Sequence, residues 1–302
     1  MLNTCKSAKL RRWTAIFLAA LIGACSSCGR ADTSLPSDTQ WLLAVQDQSL
    51  VYGGGSYLLS SDGSAREELD DCGVDSGSAE PLLSGEGRAL LLLGCSNTDG
   101  YGEFVTKAFV NSRTVTTDID VSHATWIDQE RVLFADERGI LRIVNFSNEK
   151  PSAFVIGDLG RPVKAIDFDA GESRLAILQS NDDKAASSTI KLVDLKGKVL
   201  KEINISENVS TIFWHGNSWI EAEVQHEWLT VDVGSGKVAN RRDRRGCSMV
   251  AATADSYVSW CPQNGELVQH RDGGTKKKIT TIPGDNLDNY FISVAEAVLG
   301  RS

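Results

Sequence analysis

The sequence predicts an all-β chain folded as a β-propeller of four-stranded antiparallel blades, with seven blades, the last partial, or six. Three observations predict it. Paired β-prone runs recur at a nearly constant interval along the chain. A second hairpin with turn-forming residues at its centre follows each pair. The runs themselves alternate or carry β-branched residues, as strands do.

The first runs of the pairs are 41–46, 80–85, 123–128, 164–169, 210–215 and 248–253, each followed by a polar turn of two to four residues. The second runs begin at Ser49, Arg88, Arg131, Arg174, Ser218 and Ser256, at intervals of 39, 43, 43, 44 and 38 residues. The hairpins that follow turn at Ser61-Asp62-Gly63, Asn111-Ser112-Arg113, Ser147-Asn148-Glu149, Leu195-Lys196-Gly197, Gly234-Ser235-Gly236 and Asp272-Gly273-Gly274. Gly and Asn tolerate the positive φ that tight hairpins demand. Each unit therefore supplies four strands, A to D. One small sheet cannot bury both of its faces alone, whereas sheets stacked around an axis cover one another. Residues 289–302 (NYFISV-AE-AVLGRS) look like a seventh A–B pair, since Ala297 follows Ser256 by 41 residues. They close a seven-bladed ring as a partial blade or pack against a six-bladed one.

The amino terminus has the grammar of an export signal. Lys6, Lys9, Arg11 and Arg12 form a basic region, residues 13–22 (WTAIFLAALI) an uncharged apolar run, and Gly23 and Ala24 a small-residue site. The apolar run is short of the roughly 20 residues that span a bilayer as a helix. Ile22-Gly23-Ala24-Cys25 resembles the lipobox of bacterial lipoproteins. That resemblance implies cleavage before Cys25, a thioether from its sulfur to diacylglycerol, and acylation (palmitate) of the new amino terminus. Ser26 is compatible, in that family, with an outer-membrane destination in a Gram-negative cell. The expected organisation is a signal peptide at 1–24, a flexible tether at 25–40 and the propeller at 41–302.

Removing residues 1–24 takes away four positive charges and no negative ones, so the net charge moves from −9 to −13. Such a surface argues against nucleic acid and against broad adhesion to anionic lipid. Of the seven cysteines, Cys5 leaves with the signal segment, and Cys25 and Cys28 fall at the anchor, leaving Cys72, Cys95, Cys247 and Cys261 in an oxidising compartment. Cys247 opens strand A of the sixth unit and Cys261 closes strand B. A two-residue turn pairs Cys261 with Ser248, one position off; a three-residue turn or a bulge sets the two cysteines opposite, and a disulfide is expected. Cys72 and Cys95, around the second unit, form a second candidate pair.

The last residues of the A strands should ring one channel mouth: Gln46, Gly85, Asp128, Asp169, His215 and Thr253. Asp128, Asp169 and His215 would then stand side by side, two carboxylates and an imidazole able to hold a divalent metal. No nucleophile elbow, phosphate loop or dinucleotide fingerprint is present. Arg241, Arg242, Arg244 and Arg245 form a basic run suited to an acidic partner or a phosphate-bearing envelope component. Lys276, Lys277 and Lys278 form another, expected at a C–D turn on the opposite face.

The fourth unit, FDAGESRLAIL followed by IKLVDLKGKV, resembles the repeats of TolB-type periplasmic propellers, and more loosely WD repeats. The resemblance implies the fold and little about activity, because one fold hosts many functions. The reading is a lipid-anchored, monomeric, non-enzymatic module without a cofactor, binding an envelope protein or ligand. The alternatives are a propeller-type metal-dependent hydrolase or lactonase, and a small-ligand or glycan binder using Trp219 and Trp228.

Overall fold

The computed structural model describes residues 41–47, 56–60, 66–69, 80–96, 104–111, 113–119, 121–180, 187–225, 227–243, 245–253, 255–282 and 290–295. The signal peptide, Cys25, the tether, Cys72 and Arg244 lie outside the described residues, as does the side chain of Cys95.

Twenty-four strands form six four-stranded antiparallel sheets. The fold is a six-bladed β-propeller. Blade 1 holds β1 (Trp41–Asp47), β2 (Ser56–Ser60) and β3 (Arg66–Leu69). Blade 2 is β4 (Glu80–Leu83), β5 (Leu90–Ser96), β6 (Phe104–Val110) and β7 (Arg113–Thr117). Blade 3 is β8 (His123–Trp126), β9 (Arg131–Ala135), β10 (Ile140–Asn145) and β11 (Ser152–Asp158). Blade 4 is β12 (Val163–Asp169), β13 (Arg174–Ser180), β14 (Ser188–Asp194) and β15 (Val199–Ile205). Blade 5 is β16 (Thr211–His215), β17 (Trp219–Glu223), β18 (Glu227–Asp232) and β19 (Lys237–Asp243). Blade 6 is β20 (Ser248–Ala252), β21 (Ser256–Cys261), β22 (Glu266–Arg271) and β23 (Lys276–Thr281).

The ring closes by mixing the two ends of the chain. β24 (Tyr290–Val294) pairs with β1, from Leu43 opposite Val294 to Asp47 opposite Tyr290. It is the inner strand of blade 1, in the order β24-β1-β2-β3. Two expectations are corrected. The run at 41–46 is the second strand of its blade and pairs outward with Ser56–Ser60. Residues 290–294 complete the first blade, so there is no seventh. The physical reason is that the strand following blade 6 pairs with β1, so the first and last parts of the chain are tied together by a hydrogen-bonded ladder inside blade 1. Periodicity reports spacing along the chain and cannot see this exchange.

The centre strands are buried on both faces because each blade is covered by its neighbours. β13 is buried from Leu175 to Gln179, and its LAIL core reads as a continuous apolar run. One apolar cluster fills each gap between blades. Among the described residues the cluster between blades 4 and 5 has the most buried members, Leu178, Ile190, Leu192, Ile220 and Leu229 among them. The gap between blades 5 and 6 is the smallest, with Trp228, Met249 and Ala252 as its fully buried members.

In blade 6, Ala252 faces Tyr257, while beyond an irregularity at Val250 Ser248 faces Trp260. That bulge brings Cys247 opposite Cys261, and the two form a disulfide with Cα atoms 4.2 Å apart. Among the described residues no helix is long and apolar enough to cross a membrane.

Candidate functional site

The inner strands enclose a cavity of about 370 Å³ on the axis, opening toward the A–B turns of blades 2 to 4 at Gly85, Glu86, Asp128 and Ala170. Its wall mixes apolar residues (Ile127, Ile166, Phe213, Val250) with the hydroxyl-bearing Thr125 and Thr211. One acid lies on a strand within it, Asp167 of β12. Asp167 Oδ1 accepts the Phe168 N–H at 2.9 Å, and Oδ2 accepts the Trp214 N–H at 2.6 Å. The second bond crosses from blade 4 to blade 5 and satisfies a backbone donor on the inner edge of β16, a group that would otherwise need water. Burial away from water, reinforced by the nearby Asp169 carboxylate, pushes the Asp167 carboxyl up to about 7 against the pull of those two N–H groups.

Of the residues expected around the mouth, Asp128 and Asp169 are tied to their own hairpins, and His215 Nε2 also lies 3.7 Å from Asp272 Oδ1 of blade 6. Asp128 Oδ1 accepts the N–H groups of Glu130 and Arg131, and Oδ2 meets Arg131 Nε at 2.6 Å. Against its partial burial, these partners hold its carboxyl below the ordinary value. Asp169 Oδ1 accepts Gly171 N–H at 3.0 Å and Oδ2 meets Arg174 Nε at 3.1 Å. His215 turns away to Glu221 of its own blade, Nδ1 to Oε1 3.1 Å. Gln46, on the second strand of blade 1, is buried and does not reach the inner ring. The three expected ligands do not converge, and among the described residues no group of three His, Cys, Asp or Glu is placed to hold a metal.

The arginine run divides. Arg241 is exposed and bridges Glu207 at 2.5 Å and Glu227 at 3.0 Å. Arg242 turns inward into the gap between blades 5 and 6, where its Nη2 lies 2.5 Å from Oε2 of Glu221, itself only 2 % exposed. Its guanidinium carbon sits 4.5 Å from the Tyr257 ring centre and 5.8 Å from that of Trp228. Tyr257 stacks on His270 at 4.5 Å with planes 5° apart, and His270 Nε2 lies 2.8 Å from Ser259 Oγ. Burial, then the charges of Lys276 and Arg242, lower the His270 pKa to about 4. Thr230 Oγ1 also donates to Glu221 at 3.0 Å. This polar seam lies beside the small apolar cluster of the same gap. Arg245 is exposed, with its N–H on Asp243 Oδ1 at 3.0 Å. Lys276, Lys277 and Lys278 lie on the outer strand β23 just past the C–D turn, all exposed. Trp228 is 4 % exposed within the seam, whereas Trp219 is 37 % exposed at the A–B turn of blade 5.

Asp167 and the seam were missed from sequence. Asp167 sits in the run KAIDFD, where a polar residue between apolar ones reads as ordinary strand alternation. The stacked pair Tyr257 and His270 becomes visible only when the register that sets them opposite is known.

No family model and no curated protein matches the chain. Among solved structures it is similar to a chain from the nidogen/laminin complex, with TM-score 0.57 and 11% identity over 85% of this chain and 98% of that one. A chain from a mitotic checkpoint complex is similar with TM-score 0.52 and 13% identity, over 94% of this chain and 90% of that one. These likenesses show a propeller fold. At such identities they carry nothing about this propeller's ligand.

Proposed function

We propose that the chain is a non-enzymatic interaction module, held at the cell envelope by lipid on Cys25, which docks an envelope protein along the outer strands of blades 3 and 4. A contrast between outer edges carries the docking reading. β23 guards its edge with three exposed lysines, and β19 carries the exposed Lys237 and Arg241. Charges of this kind keep an unpaired strand from recruiting another chain. β11 has none before Asp158, and instead exposes Ala153, Phe154 at 53% and Val155 at 61%. β15 next to it begins with exposed Val199 and Leu200. The two blades touch here: a Cβ on Gly197, whose φ is +81°, would fall 1.8 Å from the Ile156 carbonyl oxygen. An edge strand offers backbone hydrogen bonds to an added strand, and its exposed side chains give selectivity.

The anchor supports the same reading. A net charge of −13 after signal removal would not attract the module to anionic lipid, so acyl chains on Cys25 would keep its docking edge near the envelope. Crosslinking in intact cells followed by mass spectrometry tests both parts. The expected result is one dominant protein neighbour, lost in a Phe154→Lys, Val155→Lys variant that keeps its thermal midpoint. Recovery of the same neighbour by that variant overturns the docking edge. An amino-terminal peptide without lipid on Cys25 overturns the anchor.

A further inference from the structure

We propose that the axial cavity binds a primary ammonium group on a short apolar stem, with Asp167 as its counter-ion. The proposal uses the channel and stands apart from the outer-edge docking reading.

Asp128, Asp136 and Asp169 each hold an arginine from their own blade, at 2.6 Å (Arg131), 2.9 Å (Arg142) and 3.1 Å (Arg174). Asp167 has no such partner among the described residues; its partners are the N–H groups of Phe168 and Trp214. An ionised carboxylate has about four acceptor positions, so two backbone donors leave each oxygen able to accept again. A half-buried carboxyl without a cation is harder to ionise than one in open water, and here its pKa is pushed up to about 7. A cation entering the cavity removes that cost.

The surroundings narrow the cation. Among the described residues no group of three His, Cys, Asp or Glu stands together, so a divalent metal would find too few ligands. An ammonium needs one carboxylate and a few neutral acceptors, and the hydroxyl-bearing residues Thr125 and Thr211 are among those lining the same cavity. Ile127, Phe213 and Val250 supply an apolar wall suited to methylenes. At about 370 Å³ the cavity lies near the small end of ligand pockets, which run from about 300 to 1,000 Å³. That volume suits a stem of a few carbons. A net charge of −9 for the whole chain draws cations toward it. Two sources fit this chemistry, a free alkylamine and a lysine side chain presented by a protein.

Calorimetric titration of the full chain at neutral pH tests the inference with two matched pairs. One pair is n-pentylamine and 1-pentanol; the other is a capped Gly-Lys-Gly peptide and its norleucine twin. The ammonium member of at least one pair should bind about tenfold or more tighter than its neutral twin, the scale of a charge-assisted bond to a half-buried acid. Preference for pentylamine makes the ligand a free amine, and preference for the lysine peptide makes it a partner's side chain. Equal binding within both pairs, or no saturable binding to folded protein, overturns the proposal. Asp167→Asn should abolish the preference, and a folded Asp167→Asn chain that keeps it also overturns the proposal. The matched pairs on the unsubstituted chain decide the matter even if that variant does not fold.

Discussion

Blade 5 has two unlike faces. Toward blade 4 it buries an apolar cluster built on Ile212, Ile220, Leu229 and Val231, packed against Leu178, Ile190 and Ile203. Toward blade 6 it buries Glu221, Glu223 and Trp228, with the half-buried Arg242, against Tyr257 and His270. The first face is held by area removed from water, which tolerates small shifts of one blade against the next. Across the second, the Met249 N–H donates to Glu223 Oε2 at 3.2 Å and the Arg242 guanidinium lies over the Tyr257 ring, contacts that are more directional.

The comparison breaks most easily at Glu221. Glu221→Ala leaves Arg242 in the gap without its counter-charge, and the expected loss is about 3–5 kcal/mol in the free energy of unfolding measured by denaturant titration. Replacing both members, Glu221→Met with Arg242→Met, should recover most of that loss, because an apolar pair has no charge to strand. A double variant as unstable as the single one would show that the seam does not work as a charge pair. On the apolar side, Leu178→Ala should cost about 2–5 kcal/mol, and no second substitution in the seam should rescue it.

A smaller effect is expected from the disulfide beside the seam. Cys247→Ser with Cys261→Ser opens a loop spanning 14 residues of sequence separation. The chain-entropy account gives a loss of about 3 kcal/mol for a loop of this size. The same shift in unfolding midpoint should appear when the unsubstituted protein is measured in a reducing buffer.

The two faces also differ in the sign of their pH response. His270, in blade 6, has its pKa lowered from 6.5 to about 4. It contributes stability that is fully present above pH 6.5 and lost as pH falls through 4. Asp167, which joins blades 4 and 5, has its pKa raised from 3.8 to about 7. Its contribution is fully present below pH 3.8 and lost as pH rises through 7. His270→Gln should therefore flatten the fall in thermal midpoint on acidification from pH 6.5 to 4. Asp167→Asn should remove a decline on the way from pH 4 to 7. A His270→Gln chain with an unchanged acid limb would place that titration elsewhere.

The repeats of blades 2 to 6 were legible because each strand pair is local: Arg174 to Asp169 spans one turn, and the run at 174–178 declares its burial by composition. The bulge that sets Cys247 against Cys261 was one of the two geometries that the turn lengths left open. The metal ring was a harder matter. Asp128, Asp169 and His215 do end inner strands or enter their turns, but a polar residue beside a tight turn has its own backbone N–H groups and nearby arginine as nearer partners than the axis. Position along a strand does not say which way a side chain is pulled.

The sequence by itself determined the all-β class, the four-strand unit, the spacing of the blades and the turn chemistry, because each of these rests on contacts between residues a few dozen positions apart or fewer. Tertiary structure alone decided the blade count, the unguarded edge at β11, the polar seam and the acid in the axial cavity. Each of those depends on segments far apart in the chain: Val45 pairs with Ile292, and the Trp214 N–H reaches back to Asp167. Local periodicity carries no information about which distant strand will lie alongside, and ring closure is where that choice is made.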